Sequence, residues 1–436
     1  MALEITGFEV SDVRFPTSIM LDGSDAMNPD PDYSGACLRF DTNEPGISGN
    51  SLVFTLGRGT DVQIAALSIV AEKMIGKDVA QAFTNIGDIA RELSSDSQLR
   101  WHAADAGVFH MAIGGTLNAL WDLFAKVKSV PLWKLLSDMS PEEIVAAIDF
   151  RYIADAITPA DALEILKRGE VSKANNEKKL REVGVPAYTT TPGWLGYNDE
   201  KMLKLSAEAK ADGFSLIKYK CGKSIAEDQR RLGKVRELLG PDFGIAVDAN
   251  QVWDVETAIM WIKALAPYNL RWVEEPTHPE DVLAHARIAQ EIAPTPIATG
   301  EMANNRIIFK QLLQANAVSV MQIDATRVAG VNENLANILL AAKFGVPICP
   351  HAGGVGLCEL VQHLAFFDVV AVTGHHDARV IEYVDHLHEH MTNPVTLING
   401  RYMPPTRPGG GGQIKESSIE EYGYPNGSYW MNGARA

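Results

Sequence analysis

From Ser215 onward, short apolar runs alternate with longer segments in which apolar positions recur every three or four residues. The short runs have the β-branched composition of strands, and the longer segments have the spacing of amphipathic helices. Helix Lys201–Asp212 leads to strand Ser215–Lys220, Ile225–Leu239 to Gly244–Asp248, and Val255–Leu265 to Arg271–Glu274. Pro279–Ile292 then precedes Pro296–Glu301, Asn305–Ala315 precedes Val318–Asp324, and Asn332–Phe344 precedes Val346–Pro350. Leu357–Phe367 precedes a last strand, at Val369–Val372 or Val380–Glu382. Such repetition predicts a parallel α/β barrel, the modified TIM barrel (β/α)7β.

The first part of the chain has another pattern. Ile5–Arg14, Cys37–Asp41 and Leu52–Leu56 have strand composition, with turn residues at Glu44–Gly49. Asp61–Ile75, Gly87–Leu93 and His110–Lys126 have helical spacing, so residues 1–140 are expected to form an α+β capping domain. The strand-like Val145–Phe150 is expected to open a barrel over 141–400. Lys167–Asn198, polar and carrying Pro186, three threonines and Pro192, reads as an elaboration between the first and second barrel strands. The tail, 401–436, contains PPTRPGGGG. No strand precedes it and no GK[ST] follows, so it reads as a turn returning the chain to the capping domain, not as a phosphate loop.

The length of 436 residues suits a barrel of about 250 residues plus a second domain. A net charge of -16, from 39 basic and 55 acidic residues, argues against nucleic acid or an anionic membrane as partner. The N-terminus lacks the basic start and apolar stretch of a secretory signal, and no apolar run has the length of a membrane helix. Four cysteines without CxxC pairing suit reduced thiols, and a cytoplasmic location is expected. Cys349 and Cys358 flank His351, where buried core thiols are the ordinary reading.

The chemistry lies at the strand ends. Lys218/Lys220, Asp248, Glu274, Glu301, Asp324, His351 and Glu382 close successive apolar runs at intervals of 23 to 31 positions. Parallel barrel strands bring such residues to one face. Asp248, Glu274 and Glu301, in VDAN, VEEP and TGEM, offer all-oxygen ligation to a hard cation such as Mg²⁺. Without a cation, three carboxylates at one spot would repel. Lys218 and Lys220 are two apart and share a strand face; each should lower the other's pKa, leaving Lys220 as base and Lys218 near the substrate carboxylate. Asp324 can hold one ring nitrogen of His351 and favour its protonated form, so Lys and His serve as base and acid. Ala352 and Gly353 after it let backbone N–H groups approach a bound anion. Glu382 could share a proton with the substrate or hydrogen-bond it. The tract HHDARVIEYVDHLHEH lacks HExxH spacing and reads as hydrophilic loop rather than metal site.

With KYK, DAN, EEP, GE, the Asp–His pair and the late Glu in order, the chain resembles the enolase superfamily, within it the mandelate racemase-like group. The resemblance spans nearly the whole length. It implies one Mg²⁺ per active site and abstraction of the proton α to a carboxylate, chemistry attributed to this superfamily in general. More narrowly, FPTS followed by GSDAMNPDPDYS is similar to the substrate-covering loop of the L-fuconate dehydratases. That likeness implies substrate contacts from Gly23, Ser24, Asp25 and Tyr33, joined by Lys218, Asn250, Glu301, His351 and Glu382. A polar, hydroxyl-satisfying loop fits a polyol acid. Cys221, where the group often carries a small aliphatic residue, departs from it but faces away by strand alternation.

The expected activity is an acid-sugar dehydratase, a hydro-lyase converting L-fuconate to 2-keto-3-deoxy-L-fuconate. A racemase, an epimerase or a dehydratase of another acid sugar would use the same residues. A non-catalytic binding protein on this barrel predicts a broken ligand set, yet every member is present. A zinc amidohydrolase barrel lacks its early HxH pair here. Barrels of this kind commonly assemble, which leaves a homo-oligomer open.

Overall fold

A computed structural model describes residues 2–432. Three antiparallel strands, β1 (Ile5–Arg14), β2 (Ser34–Thr42) and β3 (Ser48–Thr55), form the N-terminal sheet in the order β1-β2-β3. Helix Gly107–Val127 is apolar on nearly all sides and therefore buried on both. One side covers β3, and the other meets helix Gly330–Phe344 of the barrel, where Trp121 Nε1 donates to Asn332 Oδ1 at 2.8 Å.

The barrel staves are β4 (Val185–Gly193), β5 (Leu216–Lys220), β6 (Gly244–Asp248), β7 (Val273–Glu274), β8 (Ile297–Thr299), β9 (Val320–Met321) and β10 (Ile381–Tyr383). All pair in parallel, and β10 closes the ring against β4. Between β9 and β10 runs the segment 346–350. It makes only the isolated bridge Met321↔Ile348, yet Cys349 N–H donates to Met321 O and His351 N–H to Ile323 O, both at 2.9 Å. Eight staves separated by seven helical crossovers give the (β/α)7β barrel. The last strand is β10, while Asp368–Val372 is a π-helical turn.

The opening of the barrel differs from expectation. Val145–Phe150 is not a strand: Pro141–Ala146 is a helix whose capping box joins Ser140 and Glu143, and the chain then turns. The first stave is β4, inside the segment expected to be a helix-and-loop elaboration. Its helices, Pro159–Glu170 and Lys173–Val183, precede that stave and do not interrupt the barrel. Pro186 fits because there β4 pairs antiparallel with the short outer strand β12 (Arg401–Met403), itself paired with β11 (Thr396–Ile398).

The tail packs against the N-terminal sheet. Gly410 N–H donates to Asp122 Oδ1 at 2.7 Å, and Tyr424 N–H to Asp12 O at 2.8 Å. No helix among the described residues is long and apolar enough to cross a membrane.

Candidate active site

Register carries the strand-end residues to one another. Lys220 pairs with Asp248 and Asp248 with Glu274 across β5, β6 and β7. Glu301 follows β8 by two residues. One ligand atom from each of Asp248, Glu274 and Glu301 lies within 4.8 Å of the others, and all three residues are buried. The triad is arranged as a site for a divalent cation.

Beneath it lies Lys218, fully buried. Its ammonium contacts Glu274 Oε1, reaches Glu382 Oε1 at 2.9 Å and Asp248 Oδ2 at 3.5 Å. Lys220 Nζ is 2.5 Å from Asp248 Oδ2. Burial opposes both ammonium forms, but the surrounding carboxylates outweigh it and raise both lysines above their ordinary value. The expected mutual lowering is therefore outweighed: each lysine already has a carboxylate partner. Glu274 is pushed well above the usual carboxylate range by burial and by Asp248, Glu301 and Glu382, despite Lys218.

Charge counting tests the fit of a cation. Asp248, Glu274, Glu301 and Glu382 face two ammoniums, an excess of two negative charges that one divalent ion matches. Without the ion that excess is part of what pushes Glu274 up, and Glu275 stays out of the count because it lies outside the triad and accepts from Gln251 Nε2 at 2.9 and 3.0 Å. Glu301 Oε2 is buried and accepts no hydrogen bond from described residues, as a ligand atom kept free would.

His351 lies on the far side of the triad from Lys220 in stave order. Its Nδ1 donates to Asp324 Oδ2 at 2.7 Å, and Nε2 stands 3.7 Å from Glu301 Oε2 and 3.9 Å from Glu382 Oε2. Asp324 is itself fixed by the N–H groups of Thr326 at 2.6 Å and Arg327 at 2.9 Å. Burial alone would lower the imidazole's pKa, yet Glu301, Asp324 and Glu382 push it up to about 9. These carboxylates favour the protonated ring. Gly353 leaves it room: a Cβ there would stand 2.9 Å from His351 Nε2.

A cavity of about 240 Å³ opens over these groups. Lys220, Glu301, His351, Gly353 and Glu382 line it from the barrel, with Asn250 beside them. Gly23, Asp25 and Tyr33 line it from the loop between β1 and β2. Three expected substrate contacts do not line it. Lys218 lies below, held by its carboxylates. Ser24 faces the barrel instead, where its Oγ accepts from Gly196 N–H at 2.8 Å. Ala352 is buried and donates its N–H to Glu382 Oε2 at 2.9 Å, so it acts on the carboxylate and not on the cavity.

Other lining residues were not foreseen. Thr190 donates to Glu382 Oε1, and burial, offset by Lys218 and the charges of His351 and Lys220, leaves that carboxyl at about 2. Trp194, Gln251, Glu275 and Arg327 also line the cavity. The second Glu of VEEP and the Gln after DAN stood next to assigned residues, the signal that could have found them. Thr190 and Trp194 were hidden by reading β4 as loop.

A β/α barrel capped by an antiparallel sheet, with three carboxylates on consecutive staves between a lysine and a histidine, defines the enolase-type class. Residues 201–418 match the family described as Enolase C-terminal domain-like. The chain is 49% identical to the mitochondrial enolase superfamily member 1 of Xenopus laevis, covering 98% of this chain and 97% of that one. It is 48% identical to the L-galactonate dehydratase of Hypocrea jecorina, over 97% and 94%. The crystal structure of human mitochondrial enolase superfamily member 1 superposes with a TM-score of 0.98 at 47% identity, covering 100% of this chain and 99% of that one. That of L-talarate/galactarate dehydratase from Salmonella typhimurium, liganded with Mg and L-lyxarohydroxamate, gives 0.75 at 26% identity, over 96% and 92%. The chain belongs to the enolase superfamily, in its mandelate racemase/muconate lactonizing group.

Proposed function

We propose that the protein is an acid-sugar dehydratase acting on L-fuconate. Asp248, Glu274 and Glu301 would hold Mg²⁺, which when bound supplies positive charge to the substrate carboxylate as the neighbouring carbon loses its proton. Lys220 would take the C2 proton as a neutral amine, a form that its ion pair with Asp248 disfavours and that becomes accessible once Asp248 is shared with the cation. His351, kept cationic by three carboxylates, gives its proton to the C3 hydroxyl as the C3–O bond breaks and water leaves. The resulting enol ketonises to 2-keto-3-deoxy-L-fuconate. Asp324 keeps the ring oriented, Lys218 holds Glu382 in place below, and Asn250 with Gly23, Asp25 and Tyr33 meets the hydroxyl groups. The observation that carries this reading is the placing of a lysine on β5 opposite a histidine past β9, with the carboxylate triad between them. A racemase would require both groups to exchange the same proton, and an imidazolium held charged suits an acid better.

L-galactonate is the second reading, favoured by the name of the relative from Hypocrea jecorina. It differs from L-fuconate only by a hydroxyl at C6, distant from the reacting carbons. Four buried free thiols support a reducing, cytoplasmic setting. We also propose that residues 1–140 and the tail 401–436 form the cap over a barrel of 141–400.

Incubation with each acid sugar and Mg²⁺ should yield a 2-keto-3-deoxy acid and water. Lys220→Ala and His351→Asn should each lower turnover by about 10² to 10⁴ while circular dichroism stays unchanged. Formation of an epimer without keto acid, or full turnover by either variant, would overturn the reading.

A further inference from the structure

We propose that His386 and His390 anchor the two roots of the 16–34 loop, His386 being a positioning residue for the cavity through Tyr33 and Trp194. The loop leaves the N-terminal sheet after Phe15 and rejoins it at Tyr33. Phe15 N–H donates to Tyr33 O at 2.8 Å, and Thr17 Oγ1 donates to Pro31 O and accepts from Tyr33 N–H, both at 2.8 Å. This neck sets where the roof of the cavity lies, since Gly23, Asp25 and Tyr33 hang from it.

Each root meets one histidine of the tract after β10. The His390 ring lies 4.5 Å from Phe15, centroid to centroid. The His386 ring lies 5.2 Å from Tyr33 and 5.1 Å from Trp194, nearly perpendicular to the indole. Tyr33 and Trp194 both line the cavity, so His386 is the wedge between loop and barrel wall. Both its ring nitrogens are buried and have no partner among the described residues. What it presents to its neighbours is an aromatic face and edge. Burial, with His388 nearby, lowers its pKa to about 4, so the ring packs uncharged.

The remaining imidazole points elsewhere. His388 contacts Glu359 Oε1 at 2.7 Å through Nδ1 and Val384 O at 2.8 Å through Nε2. The three rings therefore diverge, and among the described residues the metal-type cluster found is the Asp248–Glu274–Glu301 triad. The same segment that carries Glu382 in the floor thus holds the roof, four and eight residues later.

The test uses His386→Leu, which keeps bulk without a ring, and His386→Phe, which keeps the ring without nitrogens. Amide hydrogen exchange over residues 16–34 should quicken several-fold, about three or more, in the Leu variant and stay near wild type in the Phe variant. KM for L-fuconate should rise about tenfold in the Leu variant with kcat within about threefold, the size of two lost aromatic contacts. Phe15→Leu, which strips the other root, should loosen the same peptides if the Leu variant does not fold. Unchanged loop exchange in the Leu variant, or a Phe variant as loose as the Leu one, would overturn the proposal. The kinetic arm rests on the acid-sugar reading; the exchange arm does not, so an enzyme inert to L-fuconate would sink that reading and leave the anchor decided by exchange alone.

Discussion

Glu333 and Glu301 are both buried glutamates of the barrel, yet one is saturated with donors and the other is not. Glu333, in the first turn of helix Gly330–Phe344, accepts from the N–H groups of Ala329 at 2.7 Å and Arg306 at 2.9 Å. It also meets the Arg306 guanidinium at 3.1 Å and His110 Nε2 at 2.6 Å. Asp149 completes that cluster with Arg306 at 3.1 Å and Arg151 at 3.0 Å, so two carboxylates face two guanidiniums. Glu301 has one oxygen without a protein donor and sits among four carboxylates shared by two ammoniums. The closed cluster fastens helix Gly107–Val127 of the cap to the barrel. The open one keeps charge in excess, which folding alone would not favour and which a cation and an anionic substrate can use.

The contrast is sharpest in activity. Chelation of divalent ions should lower turnover by at least about 10³-fold, with Mg²⁺ restoring it. Glu301→Gln should lose as much beyond rescue by Mg²⁺, whereas Glu333→Gln keeps kcat near wild type; a 2-keto acid assay reads all three. Stability should order the same variants oppositely. In chelator, Glu333→Gln takes one of the two carboxylates of buried Arg306, leaving it Asp149 alone, and should cost about 3 kcal/mol in urea denaturation. Under the same conditions Glu301→Gln should cost less than about 1 kcal/mol, since Glu301 Oε2 accepts no hydrogen bond from the described residues and no guanidinium loses its partner. Equal losses in both variants would erase the distinction. Adding Mg²⁺ at about a hundred times its Kd should then raise wild-type stability by about 2.7 kcal/mol and Glu301→Gln by far less.

The open cluster was readable in sequence and most of the closed one was not. Asp248, Glu274, Glu301, Asp324 and His351 each close an apolar run, and parallel staves turn that one-dimensional position into proximity. Glu333 and Arg306 lie early in helices that follow β9 and β8, and His110 lies in another domain; only tertiary packing joins them. The barrel was legible wherever a helix and a strand alternated cleanly, as at Ile225–Leu239 and Gly244–Asp248. It was lost at β4, whose Pro186, Pro192 and threonines look like loop but are tolerated where its pairing changes partner, to β12 at one end and past a register shift toward β5 at the other. Val145–Phe150 misled through apolar content, although Ser140-Pro141 with Glu143 carried the capping signature of a helix. The loop 16–34 gave no periodicity, and its placement over the cavity was available only through resemblance.

The smallest effect concerns acid. Burial would raise the Glu333 carboxyl, but His110 and Arg306 outweigh it and hold it at about 2, below the ordinary 4.5. Below about 4.5 the unfolded chain takes up a proton that the folded protein refuses until near 2. The pair's contribution is therefore complete above about 4.5 and drains away as the pH falls toward 2, by about 1.4 kcal/mol for each unit once well below 4.5. Only the first part of that range is practical for a protein of this size. Between pH 7 and pH 4 the stability gap between wild type and Glu333→Gln should narrow by about 1 kcal/mol, measured in chelator so that the open cluster holds no metal. A gap for Glu333→Gln that stays constant, or widens on acidification, would mean that the carboxylate is not held ionised by its partners, and the difference between the two glutamates would reduce to one of burial.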